Sequence, residues 1–493
     1  MNEWALGIDL GSTGVRCLVV DLKGRPVSLC SGAWSSYTPK ELLPLGKELD
    51  PQKLWKVICE VSQGALRAAG KGKLIGLSVT AQREGAVFLN REGRELYAGP
   101  NLDLRALAEG ASIDQELGEK IHSLTGHLPS FLFVPAKLRW FENHRRQVYN
   151  EIATVLSLDE WVIYRLTGER VGEACSLGEL GLIQVGTRQR SLELEGALRI
   201  PQVYPGLAQA GEMIGKISQQ VAAQTGLPEG APVALGAPDT QCGLLGLGLR
   251  EAEEAGIIAG WSCPCCLLME KPIFDQRLWT GCYPFPQRWI LESNAGDLGG
   301  TWHWLAGVLG GEEKEMGRLV EEAPQDSSVA LAFLSPLVMD MTKLGMRWGG
   351  FLFPLPPEVT EVDRASLLRA ALESFCFTIK ANLLQLEEAS GVKPARIGLA
   401  GGLAQNQVFA RTLPQVLGQP VFLSQLKETS ALGAAICGAA GSGRFASLEE
   451  AQEAMKPKLE LLEPEPSASL EYASAFEKWS RLAEVFEEEL TKD

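Results

Sequence analysis

The glycine-rich run Gly7-Ile8-Asp9-Leu10-Gly11-Ser12-Thr13-Gly14 is followed by Val15-Arg16-Cys17-Leu18-Val19-Val20, a β-branched stretch rather than a helix. Walker-type and dinucleotide-binding loops need a helix immediately after their glycines, because the phosphates sit on its N-terminus. What remains is a hairpin in which the backbone amides of Gly11, Ser12 and Thr13 face a phosphate. Asp9 is then held at a strand end, where it orients Mg²⁺ through water. A plain hairpin with Asp9 capping its turn explains the loop taken alone.

The surrounding pattern extends this start into an α/β chain. Strands are expected over 5–10, 15–20 and 26–30, a helix from Pro51 to Ala69, and strands over 74–79 and 86–89. A helical pattern runs over 156–166, and the strand-like Val233-Ala234-Leu235 leads into Gly236-Ala237-Pro238-Asp239. A second β-rich set begins at 256–260 and includes 289–292. A long helix over 364–390, a strand over 396–400, a strand over 421–423 and a small-residue helix near 430–440 follow. Residues 459–466 have the charge and prolines of a surface connection. The break Arg250-Glu251-Ala252-Glu253-Glu254 places the best boundary near 245–255, which divides 493 residues into two halves of nearly equal length.

Three further groups carry chemistry. Asp239 follows an apolar strand and Gly-Ala-Pro and precedes Thr240, so it serves either as a helix cap or as a general base that takes the proton of an attacking hydroxyl; the two roles are compatible. Gln82-Arg83-Glu84 at a strand end and Asp103 with Arg105 after Gly99-Pro100 offer the carboxylates, amide and guanidinium that a polyhydroxylated ligand requires, surface ion pairs being the alternative. Gly401-Gly402 between a strand and a helix lets backbone approach a flat ligand, and Asn406 can hydrogen-bond a ribose or base; a tight turn explains the same glycines.

Composition excludes several classes. With 46 Lys plus Arg against 61 Asp plus Glu, the net charge of −15 disfavours nucleic acid and anionic membranes. The start, Met1-Asn2-Glu3-Trp4, lacks an export signal, and Gly260, Ser262 and Pro264 interrupt the longest weakly polar run, so neither export nor a membrane span is expected. Eleven cysteines without framework spacing fit a reducing cytoplasm. The cluster Cys263-Pro264-Cys265-Cys266 invites a metal reading, but with only four histidines buried thiols are expected.

In this order the motifs resemble the FGGY carbohydrate kinases, a family that includes xylulokinase, glycerol kinase and autoinducer-2 kinase. The resemblance rests on residues 7–14, Asn101-Leu102-Asp103-Leu104-Arg105, Asp159-Glu160-Trp161, Leu166-Thr167-Gly168, residues 236–248 and residues 401–433. It implies two RNase-H-like α/β domains of the actin/hexokinase type, 1–247 and 248–493, with an interdomain catalytic cleft. There Asp239 would act as base on a sugar or polyol hydroxyl, an open-chain ketose such as xylulose being favoured over glycerol or the autoinducer. Gln82, Arg83, Glu84, Asp103, Arg105, Asp239 and Thr240 would bind that acceptor. ATP would lie on Gly11, Ser12, Thr13, Gly260, Ser262, Gly401, Gly402 and Asn406, with Mg²⁺ at Asp9, and a homodimer is compatible with the family. Three departures stand out: Gly260-Trp261-Ser262-Cys263 replaces the usual Gly-Thr-Ser/Thr-Gly, Leu403 shortens the adenosine glycine run, and Asn101 lies where a tryptophan is usual. The Trp261 departure keeps a different class open, an ATPase or nucleotide-gated binding protein of the same superfold.

Overall fold

A computed structural model describes residues 2–12, 14–322, 330–343 and 348–490. Thr13, a candidate phosphate contact, lies outside the described residues. The chain divides into two units: Met1–Arg250 with Met269–Ile290 and Glu428–Pro457, and Glu251–Leu268 with Leu291–Lys427 and Lys458–Asp493.

The first unit is built on strands β1 (Glu3–Gly11), β2 (Gly14–Asp21), β3 (Pro26–Ala33) and β4 (Lys73–Ala81). The order β3-β2-β1-β4 continues through Pro232–Ala234 to Met213–Lys216. The first three strands are antiparallel, and β4 joins β1 in parallel. Leu6, Ile8 and Leu10 on β1 are buried with Ile58, Val61 and Ala65 of the helix Pro51–Ala69 in one apolar cluster. Each such Leu or Ile contributes about 1.5–3 kcal/mol when fully buried. Asp50 caps that helix by accepting from the Gln52 and Lys53 amides, and Pro51 at the first helical position needs no donor partner.

The helix Thr429–Gly441 packs against β1, β4 and the helix Asp239–Gly246. Contact this close demands glycine. A Cβ at Gly7 would overlap the Ala431 carbonyl, and one at Gly433 would overlap the Cys242 backbone.

In the second unit Glu254–Ile258 pairs antiparallel with Pro264–Met269 and in parallel with Arg396–Ala400, which pairs in parallel with Val421–Ser424. This restarts the antiparallel-then-parallel logic of the first sheet. The helix Arg364–Ser390 spans the expected residues.

Two expectations shift. The helical pattern over 156–166 begins inside a strand, Thr154–Ser157. The helix is Leu158–Thr167, opened by a capping box in which the Ser157 side chain and Glu160 exchange bonds. The surface connection 459–466 contains the strand Leu459–Leu462, antiparallel to Val421–Ser424. The charge and prolines that suggested a loop flank this short edge strand, which exposes half its length to solvent.

Candidate active site

Asp9 lies directly across the hairpin from Arg16, whose Nη1 is 3.7 Å from Asp9 Oδ2 and whose Nε is 3.3 Å from Glu428 Oε2. Burial pushes the Asp9 carboxyl up to about 7; the Arg16 guanidinium opposes this, while Asp239 and Glu428 add to it. Asp9 Oδ1 is buried and accepts no hydrogen bond. Gly11 closes the hairpin opposite Gly14, and a side chain there would crowd the Arg16 guanidinium at 2.8 Å, so glycine leaves room for that ion pair. Ser12 is exposed at the tip.

Asp239 opens the helix Asp239–Gly246 at its first residue, with Pro238 at the cap position. Its backbone is pinned on two sides: Thr80 Oγ1 donates to the Ala237 carbonyl at 2.7 Å, and Ser430 Oγ donates to the Asp239 carbonyl at 2.9 Å. Its carboxylate accepts from the Thr240 amide at 2.7 Å, and the Thr240 side chain is buried beside it. An acid at the first turn is favoured by the helix dipole.

Gln82 follows β4, and its backbone N–H donates to the Leu10 carbonyl at 2.9 Å, which ties this loop to β1. Arg83 lies 3.8 Å from Glu84 and 3.7 Å from Glu179, and its guanidinium stacks 5.3 Å from the centre of the Trp279 ring. Glu84 takes the left-handed backbone conformation, φ 56°, and its carbonyl accepts from the buried Lys137 ammonium at 3.1 Å. Burial pulls the Lys137 pKa down, against the pull of Asp103 and Glu84.

Asp103 and Arg105 lie deeper. Asp103 accepts from Tyr97 Oη at 2.5 Å, Arg105 Nε at 2.6 Å and the Lys47 amide at 2.9 Å. Arg105 also donates to Glu48 at 2.9 Å and is boxed by the rings of Tyr97, Trp140 and Phe141. This pair is a buried bracket that fixes the segment 97–105, with Arg105 Nη1 left buried without a hydrogen-bond partner.

Sequence reasoning passed over Arg16, His127, Lys137 and Glu179. Lys137 alone carried a signal, a lysine on the apolar face of the helix Val134–His144. Nothing local marks Glu179.

In the second unit Gly260 and Gly401 follow neighbouring parallel strands, which brings the two turns together at one sheet edge. Gly401 has φ 109°, and a Cβ there would overlap Ala259, so no other residue fits. The Leu403 amide donates to the Ala259 carbonyl at 2.9 Å. Trp261 is half-exposed, and its carbonyl accepts from the Gly299 and Gly300 amides at 3.1 and 3.2 Å. Ser262 is half-buried beside it. Gly402 is exposed, and Asn406 caps the helix Gln407–Leu417 by accepting from the Phe409 amide at 3.0 Å. Cys263, Cys265 and Cys266 are buried thiols, none of the eleven cysteines forms a disulfide, and among the described residues no group of three His, Cys, Asp or Glu could hold a metal ion by itself.

Residues 4–246 match the sequence model of the FGGY family of carbohydrate kinases, N-terminal domain, and residues 257–442 match that of its C-terminal domain. Autoinducer-2 kinase of Escherichia coli (strain K12) is 26% identical over 501 residues, covering 97% of this chain and 93% of that protein. Among solved structures, xylulose kinase from Rhodospirillum rubrum superposes with a TM-score of 0.84 at 25% identity, covering 98% of both chains. Glycerol kinase from Plasmodium falciparum with ADP superposes with a TM-score of 0.85 at 17% identity, also covering 98% of both chains.

Proposed function

The chain belongs to the FGGY family of carbohydrate kinases, and from that premise we propose that it transfers the terminal phosphoryl group of Mg·ATP to a hydroxyl of an open-chain ketose such as xylulose, or of a related linear polyol. The observation that carries this reading is Asp239, placed at a helix start by two backbone-anchoring hydroxyls. A carboxylate so held keeps its orientation. It takes the proton from the acceptor hydroxyl as that oxygen attacks phosphorus.

Asp9 suits a hydrated cation, since its buried Oδ1 lacks a partner and the carboxylates of Asp239 and Glu428 add negative field. Asp9 would hold Mg²⁺ through water, and the ion would supply charge neutralisation of the phosphates when bound. Arg16, kept off full contact with Asp9 by its bond to Glu428, leaves that oxygen available. The amides of Gly11 and Ser12 face the phosphates in this reading, and Thr13 would join them. Gly260, Ser262, Gly401, Gly402 and Asn406 hold the nucleotide from the half formed by residues 248–493, and Gln82, Arg83, Glu84 and Thr240 hold the acceptor in residues 1–247. Asp103 and Arg105 then act on the acceptor chiefly by shaping the loop they brace. The eleven cysteines, none in a disulfide, support a cytoplasmic setting, and among the described residues no helix is long and apolar enough to cross a membrane.

The relatives named for autoinducer-2 make that signal the alternative acceptor, and the exposed Trp261 favours a second class, an ATPase or nucleotide-gated binding protein. A coupled ADP-release assay over pentuloses, polyols and the autoinducer precursor decides among them. Acceptor-dependent ADP release is expected, with Asp239→Asn lowering kcat by about 100-fold or more while nucleotide binding persists. ADP release indifferent to every acceptor would instead establish the ATPase reading.

A further inference from the structure

Glu179 Oε2, Gln241 Oε1 and His127 Nε2 are buried in the first unit without a hydrogen-bond partner. Glu179 links them. Gln241, two residues after Asp239, donates its Nε2 to Glu179 Oε1 at 2.7 Å. Because a carboxylate can only accept, this bond fixes the amide orientation and leaves Gln241 Oε1 as the unmet acceptor. The other carboxylate oxygen, Oε2, is 3.4 Å from His127 Nε2 and 3.7 Å from Arg83 Nη1, distances that leave it attracted but not hydrogen-bonded. The His127 ring is held from its far side, Nδ1 lying 2.7 Å from the Thr125 carbonyl. All these groups belong to the first unit, and Glu179, His127 and Gln241 are each at most 2% exposed.

Unmet polar atoms at such depth are destabilising unless something supplies the missing bonds. Two of them, Glu179 Oε2 and Gln241 Oε1, accept only. Their complement is a hydroxyl donor. Charge narrows the class further: the Arg83 guanidinium is already shared by Glu84 and Glu179. A third carboxylate brought in by an acceptor would find its guanidinium partner shared twice over.

Resting on the kinase reading above, we propose that Glu179, positioned by Gln241, is a specificity-determining residue that accepts a hydrogen bond from an acceptor hydroxyl. It thereby selects neutral polyhydroxylated acceptors over aldonates of the same chain length. The arrangement also couples recognition to chemistry, since the residue orienting Glu179 sits on the helix that Asp239 opens. The ionised state needed for this is favoured by Arg83 and His127, which outweigh burial and hold the carboxyl at about 2.

The test uses the full-length protein. Wild type and Glu179→Gln are titrated calorimetrically, without nucleotide, with the best neutral ketose or polyol of the panel, its monodeoxy analogues and the matching aldonate, and the same compounds are assayed for ADP release. Expected are a rise of at least 10-fold in acceptor Kd and KM for Glu179→Gln with KM for ATP within two-fold, and a wild-type preference for the neutral acceptor of at least 100-fold. One monodeoxy analogue should lose about as much with wild type and nothing more with the variant. That comparison on wild type stands even if Glu179→Gln fails to fold. Unchanged acceptor affinity in the variant, or an aldonate used within 10-fold of the neutral compound, overturns the inference and leaves the kinase reading intact. Binding that follows this pattern without turnover overturns the kinase reading alone; neither binding nor turnover overturns both.

Discussion

Glu84 holds a backbone conformation that a side chain with a Cβ adopts at a cost of order 1–3 kcal/mol, and the Lys137 ammonium on its carbonyl is what the fold offers in return. Glu84→Gly removes the side chain but suits φ 56°. Its stability should therefore stay within about 1 kcal/mol of wild type or exceed it, while KM for the acceptor rises and KM for ATP does not. Equal, small changes in both constants would remove Glu84 from the acceptor site. Lys137→Met should do the opposite to stability, costing about 1–3 kcal/mol because the carbonyl loses its donor. Glu179 sets an acid limit. Its folded pKa of about 2 lies below the ordinary 4.5, so the ionised form adds stability above about 4.5 that disappears as pH falls through the folded value. Urea midpoints measured through that window should fall less steeply for Glu179→Gln than for wild type. At this scale the sequence was legible where charge interrupts an apolar strand end, as at Gln82-Arg83-Glu84. It was illegible for Glu179, whose partners Arg83, His127 and Gln241 come from distant segments, and ambiguous for Asp103 and Arg105, since a ligand-binding pair and a bracing pair share one composition.

Among the elements, the helices Asp239–Gly246 and Thr429–Gly441 carry the tightest contact around the base. Gly433→Ala drives a methyl group into the Cys242 backbone. We expect a loss of about 1–3 kcal/mol, read as a lower Tm, together with reduced kcat because the displaced helix is the one that begins at Asp239. A fully active, fully stable Gly433→Ala protein would show that this packing does not position the base. The small residues of both helices announced close packing in the sequence, and helix ends set by Pro51 and Ser390 were legible to the residue. The strand Leu459–Leu462 was not, because an edge strand is half-solvated and its composition matches a loop. Asn406 poses a different ambiguity, since its side chain is already a cap. Ser caps as well as Asn, so Asn406→Ser should leave stability nearly unchanged. Any rise in KM for ATP then reports a nucleotide contact and not a frayed helix.

For the whole molecule, the first unit is assembled from three stretches of chain, the last being Glu428–Pro457. Residues 1–250 expressed alone lack the helix that covers β1 and β4, and should show no cooperative thermal transition; a sharp one would mean that the helix is dispensable. The sequence divides readily into halves because composition changes near residue 250, but no local signal tells that a late helix returns to the early core. That return sets a clock during synthesis. The β1–β4 portion of the sheet is complete in the nascent chain at residue 81, yet its covering helix ends at residue 441. At ribosomal rates of about 5–20 residues per second, the interval is roughly 20–70 s. Throughout that time the face of β1 that carries Gly7 waits without its partner while Leu6, Ile8 and Leu10 are already covered by the helix Pro51–Ala69, so we expect the nascent chain to hold a half-covered sheet until the late helix arrives.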